Sequence, residues 1–182
     1  MTPGDLAAAL ATDLDGAFAD LVRETSGGVF SGALRLVGNR HDAEEISQEA
    51  YLRAYRALQG YPAERIRDLD PGAWIWTIAA NLCRNHHRTR SRRPQTAEIA
   101  AEPADRGPDP ESLAIDRSQE EWLAAELSRL TWPMRAAVVL HHVVGLPYDE
   151  VATALGRPVG TVKADAHRGL ARLRARLEGI EP

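Results

Sequence analysis

Apolar residues recur along this chain at intervals of three and four rather than two, a pattern that predicts helices and no sheet. Leu14, Phe18, Leu21 and Val22 predict one helix, and "VFSGALRLVGN" a second, short one ended by Gly38 and Asn39. In "HDAEEISQEAYLRAYRALQGYP", Asp42 is placed to cap a helix with Glu45 three residues on, a capping-box arrangement. Ile46, Ala50, Ala54 and Leu58 form its buried stripe, and Gly60 and Pro62 end it. "YPAERIRDLDP" is turn-rich and reads as a loop, after which residues 72 to about 90 return to a helical period closed by Pro94.

In "PQTAEIAAEPADRGPDPESLA" the periodic hydrophobics give way to Pro, Ala, Gly and acidic residues, the composition of an extended, flexible linker. It divides the chain into residues 1–94, a linker over 95–117 and residues 118–182. Beyond it, Trp122, Leu123, Leu127 and Leu130 mark one helix, "PMRAAVVLHHVVG" a second begun by Pro133, and two more flank "GRPVG". The expected class is all-α, with two small helical domains joined by the linker.

Composition narrows what such a chain can be. With 182 residues, 44% of them hydrophobic, it can bury one medium core or two small ones. The single cysteine, Cys83, excludes an internal disulfide and fits a reducing, cytoplasmic setting. The N-terminus carries aspartates and no basic leader, and no apolar run approaches the roughly 18 to 20 residues of a membrane span, so no membrane insertion is expected.

The net charge is −4, yet between Pro71 and Ala97 there is no Asp or Glu, while Arg84, Arg88, Arg90, Arg92 and Arg93 crowd the end of that block. On a helix, Trp74, Ile75, Ile78, Ala79 and Leu82 share the core-facing side, and Asn81, Arg84, Asn85 and Arg88 share another. Amide and guanidinium groups in a row suit base edges and phosphates. The segment alone also fits a solvated helix with an arginine-rich tail.

"LPYDEVATALGRPVGTVKADAHRGLARLRARL" has the period of a helix-turn-helix, with Tyr148, Val151, Ala152 and Leu155 on the first helix and a turn at Gly156. Val159, Val162, Ala166, Leu170, Leu173 and Leu177 line the second helix. A unit of this kind lays its second helix in the DNA major groove, which brings Thr161, Lys163, Ala164, Asp165, His167 and Arg168 toward base edges, followed by Arg172, Arg174 and Arg176 as phosphate partners. An αα-hairpin packed in a bundle has the same period. The six histidines lack carboxylate or cysteine partners at ligand spacing, and there is no glycine-rich phosphate loop or nucleophile elbow, so neither metal, cofactor nor enzymatic activity is expected.

The whole chain resembles an extracytoplasmic-function sigma factor of bacterial RNA polymerase, the compact group that keeps sigma regions 2 and 4. "DAEEISQEAYLRAYRAL" resembles region 2.2, "AWIWTIAANLCRNHHR" regions 2.3 and 2.4, "LTWPMRAAVVLHHVVGLPYDEVATALG" the body of region 4, and "RPVGTVKADAHRGLARLRARL" its recognition helix. The four segments are collinear, with a linker where the family has one.

The resemblance implies that Gln48 and Glu49, with Glu45, Leu52 and Arg53 on the same strip, dock on the beta-prime clamp helices of core polymerase, and that the C-terminal unit meets the beta flap. It implies that Asn81, Arg84, Asn85 and Arg88 face the melted strand of the minus-ten element, with Trp76, which departs from the family's common pattern, at the surface or an interface beside them. Trp74 falls on the Ile78 stripe and is assigned to the core. Thr161, Lys163, Asp165, His167, Arg168 and Arg172 correspond to the minus-35 contacts, although Asp165 stands where relatives usually carry a donor; it is expected either to accept from cytosine N4 or to orient Arg168. The family also implies an anti-sigma partner. A free-standing helix-turn-helix regulator binding duplex as a dimer is the alternative function, and a protein-binding adaptor a third.

Overall fold

The computed structural model describes residues 2–92 and 122–179, and no strand occurs among them. The expected linker at 95–117 lies outside the described residues. A first helix that the apolar pattern did not separate, α1 (Pro3–Thr12), starts at a capping box in which Thr2 accepts from the Asp5 amide and the Asp5 carboxylate accepts from the Thr2 amide. Asp13 then caps α2 (Leu14–Val37), which runs unbroken through Gly27 and Gly28. The two short helices expected here are therefore one. Burial of Val29, Ala33 and Leu36 on one side rewards continuing the helix past two residues of poor helical propensity.

Gly38 closes α2 in the left-handed conformation, and Asn39, not Asp42, caps α3 (Arg40–Gln59) by accepting from the Asp42 amide at 3.0 Å. The cap sits three residues earlier than expected. The stripe of Ile46, Ala50, Ala54 and Leu58 is buried as its period requires. The expected loop contains a short helix, α4 (Ala63–Arg67), that turns Ile66 into the interior. Asp70 then caps α5 (Pro71–Arg90), with Pro71 in the first turn, where its missing N–H is no loss.

After the undescribed segment, α6 covers 122–129 and α7 spans Trp132–Val138. The latter runs into a π-helical turn, Val139–Val143, closed by the Val144 amide donating to the Val139 carbonyl five residues back at 2.9 Å. The helix-turn-helix follows as α8 (Tyr148–Leu155) and α9 (Val159–Leu177). Gly156 has φ +62°, the left-handed value that the tight turn demands and that a side chain disfavours.

Among the described residues two apolar interiors result. A small one beneath α1, α2, α3 and α4 gathers Leu6, Leu10, Leu21, Leu58 and Ile66. The large one draws on both sides of the linker, joining Ala50, Ile75 and Ala79 to Leu127, Leu140, Val151 and Val162. The helical blocks thus touch directly, chiefly where α5 packs on α8 and where α2 meets the π-helical turn.

Candidate nucleic-acid interface

The side chains of Glu45, Gln48, Leu52 and Arg53 project from α3 on the face opposite its buried stripe, and Glu49 lies half-buried among them. Glu49 accepts from Arg53 Nε at 2.6 Å, and His41 Nε2 lies 3.4 Å from Glu45. Leu52 is 52% exposed in the middle of this polar strip. An apolar side chain ringed by acids and an amide is suited to a helix that presents basic and apolar residues.

On α5 the predicted row divides in two. Asn85 and Arg88 are exposed. Asn81 and Arg84 are partly buried, Arg84 against α8. Arg84 donates through one nitrogen to Asn81 Oδ1 at 2.6 Å and through the other to the Leu155 carbonyl at 2.9 Å, at the C-terminal end of α8, where the helix dipole favours a cation. Further along, the His87 ring stacks on Trp132, with centroids 4.9 Å apart and planes inclined by 13°. Burial, with Arg135 and His86 as added positive neighbours, holds the His87 pKa below its ordinary value.

Trp76 does not join the strand-facing row. It is 5% exposed, lodged against Gly32 of α2 and beside Val144. A Cβ on Gly32 would run into the far edge of the indole, so the absence of a side chain there makes room for the ring. The deepest stripe of α5 is Ile75, Trp76, Ala79, Ala80 and Cys83, one position round from the expected one, because α5 is covered on two sides. Trp74, assigned to the core, is only partly buried, against Tyr61. Burial pushes the Cys83 thiol up to about 12, which leaves it protonated and inert.

On α9 the exposed positions Lys163, Ala164, His167, Arg168 and Arg172 form one face, and Thr161 is partly exposed at its start. This is the face that a helix laid in a major groove turns toward base edges and flanking phosphates. Asp165 is not on it. It is 4% exposed, and its carboxylate receives Arg157 from the turn on Oδ2 and Arg168 Nη2 on Oδ1, the latter at 2.6 Å. Both of its oxygens are thus engaged inside the protein, an arrangement that favours the other role foreseen for it, the orientation of Arg168, over acceptance from cytosine. Val159 and Leu177, expected on the buried stripe, are 38% and 71% exposed at the two ends of the helix.

Three tertiary contacts around these faces were invisible to local pattern. Arg157 lies eight residues before Asp165, Trp132 is met by His87 across the linker, and Arg135 donates to the Leu36 carbonyl at 3.0 Å. Each depends on chain segments brought together only by the fold. The adjacent histidines are likewise used in packing: the His141 ring stacks on Tyr148, with its Nδ1 2.7 Å from the Leu146 carbonyl. Among the described residues no three His, Cys, Asp or Glu side chains cluster as a metal site would need, and no helix is long and apolar enough to cross a membrane.

Comparison with known proteins agrees with this geometry. The profile of Sigma-70 region 2 matches residues 21–93, and that of Sigma-70 region 4 matches residues 120–173. The chain is 37% identical over 162 residues to the ECF RNA polymerase sigma factor SigE of Mycolicibacterium smegmatis, covering 85% of this chain but only 59% of that relative. It is 31% identical over 176 residues to the ECF RNA polymerase sigma factor SigW of Bacillus subtilis, covering 90% of each. The fold is similar to CnrH in its complex with the cytosolic domain of CnrY, with a TM-score of 0.72 at 23% identity over 98% of both chains. It is also similar to the sigma factor RpoE in complex with the anti-sigma factor NepR from Bartonella quintana, with a TM-score of 0.64 at 20% identity over 93% of this chain and 99% of that one. Collinear region 2 and region 4 matches, an all-helical fold and a relative matched along nine-tenths of its length lead to one conclusion: the chain belongs to the ECF sigma factors of RNA polymerase.

Proposed function

We propose that this sigma factor divides its work along the chain. Residues 1–94 bind core polymerase and the minus-ten element, the acidic residues 95–117 connect the two parts, and residues 118–182 bind the minus-35 element. The observation that carries the reading is the pairing of two exposed faces of opposite chemistry, the acidic and apolar strip on α3 and the cationic face of α9, within one region 2 and region 4 chain. Glu45, Gln48, Glu49, Leu52 and Arg53 meet the beta-prime clamp helices. Asn81, Arg84, Asn85 and Arg88 hold the melted strand, and Thr161, Lys163, His167, Arg168 and Arg172 read and grip the upstream duplex.

The protein acts in the cytoplasm with core polymerase and catalyses no reaction itself. RpoE of similar fold is in complex with an anti-sigma factor, which supports an anti-sigma partner for this chain too. Run-off transcription with core enzyme on fragments of the source genome tests the reading. Transcripts that start at discrete sites only when this chain is added are the expected result; tight sequence-specific binding of duplex by the free chain as a dimer, without polymerase-dependent starts, overturns it.

A further inference from the structure

Arg157 belongs to neither the apolar interior nor the row of expected DNA contacts, yet it is paired with a buried carboxylate. It leaves the turn immediately before α9 and meets the buried carboxylate of Asp165, which also receives Arg168 from one helical turn further on. The Asp165 side chain is 5% exposed and each of its oxygens accepts from one guanidinium, so the buried carboxyl group holds both arginines in place. The reverse does not hold, because each guanidinium carries five N–H donors and gives one to Asp165. Arg168 remains 57% exposed and Arg157 34% exposed, and two guanidiniums against one carboxylate leave a net positive charge.

Their places differ. Arg168 shares the exposed face of α9 with Lys163 and His167, which turns toward base edges when the helix lies in a major groove. Arg157 sits outside that face, in the turn just before the N-terminus of α9, and helix N-termini are among the groups that bind DNA phosphates. Fixing an arginine's planar fork before binding reduces the rotamer entropy that the contact would otherwise cost.

We infer that Asp165 is a positioning residue that touches no DNA, and that Arg157 is a further DNA-binding residue: through Asp165, Arg157 and Arg168 act as a paired prong, Arg168 on a guanine edge and Arg157 on a neighbouring phosphate. The inference rests on the sigma-factor reading and adds to it a residue in the turn and a coupling between three side chains.

The test uses holoenzyme reconstituted with full-length chain. A promoter found by run-off mapping is randomised in its upstream element, and preferred sequences are selected with wild type, Arg168→Gln, Asp165→Asn, the double variant Asp165→Asn with Arg168→Gln, Arg157→Gln and Arg157→Lys. Arg168→Gln is expected to lose about tenfold preference at one base pair. Asp165→Asn should relax selectivity at that same base pair, and the double variant should be no worse there than Arg168→Gln. Arg157→Gln should weaken all upstream elements alike and lower the slope of log affinity against log salt by about one, while Arg157→Lys keeps the slope.

A preference lost at a different base pair in Asp165→Asn overturns the inference, since Asp165 would then be reading sequence itself. Additive losses in the double variant overturn the coupling, and an unchanged salt slope in Arg157→Gln overturns the assignment of Arg157. Should Asp165→Asn fail to fold, the Arg157 slope still decides. Wild type that starts no transcripts with core enzyme refutes the sigma-factor reading instead, so the two failures are distinguishable.

Discussion

The guanidinium of Arg84 on α5 hydrogen-bonds the backbone carbonyl of Leu155 on α8, at 2.9 Å and across 71 residues of sequence. A residue expected to hold a promoter strand therefore also ties the N-terminal block to the helix-turn-helix.

Replacing Arg84 by Ala removes a charge-assisted hydrogen bond, an interaction worth about 1.5–3 kcal/mol. The variant is expected to lower the denaturation midpoint by a corresponding amount and to increase amide exchange at the C-terminal end of α8. Chemical denaturation with hydrogen-exchange readout checks it, and an unchanged midpoint would show that the contact contributes nothing to the union of the blocks.

Trp76 supplies a contrasting case. Its truncation to Ala empties the space against Gly32 and Val144 and should cost about 3–5 kcal/mol. At a temperature where the variant remains folded, start-site choice should match wild type. A stable Trp76→Ala protein with altered minus-ten preference would return the indole to the DNA-facing surface.

His87 makes the meeting of the two blocks sensitive to acid. Its pKa is depressed in the folded chain below an ordinary value near 6.5, so the unfolded chain binds the proton more readily. The neutral ring's contribution is fully present above about pH 6.5 and is lost as pH falls through the lower folded value. Thermal melting between pH 5 and 8 should show stability falling toward the acid side, and His87→Phe, which keeps an aromatic ring beside Trp132, should flatten that dependence. An identical profile in the variant would assign the effect elsewhere, His142 being the other histidine whose pKa burial depresses.

The strip on α3 gives the prediction about polymerase. Gln48→Ala with Glu49→Lys changes side chains outside the buried stripe, where substitutions usually shift stability by no more than about 0.5 kcal/mol. The introduced lysine would also oppose Arg53, the present partner of Glu49. Loss of core-polymerase affinity with an unchanged melting curve is the expected result, read by sedimentation or competition binding.

Local periodicity was a good guide wherever a helix has one buried side. Ile46, Ala50, Ala54 and Leu58 could be placed in the interior from spacing alone, and Gly156 from the turn that it must make. α5 is covered by α2 and α3 on one side and α8 on another, so the single stripe read from its sequence displaced Trp76 to the surface. The unbroken α2 shows the same principle, since burial of Val29 and Ala33 outweighs what Gly27 and Gly28 would suggest in isolation. Asp165 was legible as unusual but not as buried: its partner Arg157 belongs to the turn, and no helical spacing relates the two.

The apolar interior common to both blocks has a consequence for affinity. Arg84 is bonded to the C-terminal end of α8, so a promoter strand that takes up its guanidinium, as proposed above, is favoured in chains where that contact has opened. A ligand of such chains pays a conformational tax: its apparent dissociation constant is the intrinsic one divided by the open fraction, so a chain open one time in a hundred binds about a hundredfold more weakly. Any partner that prefers the open form raises promoter affinity by shifting that fraction, without a single added contact to DNA.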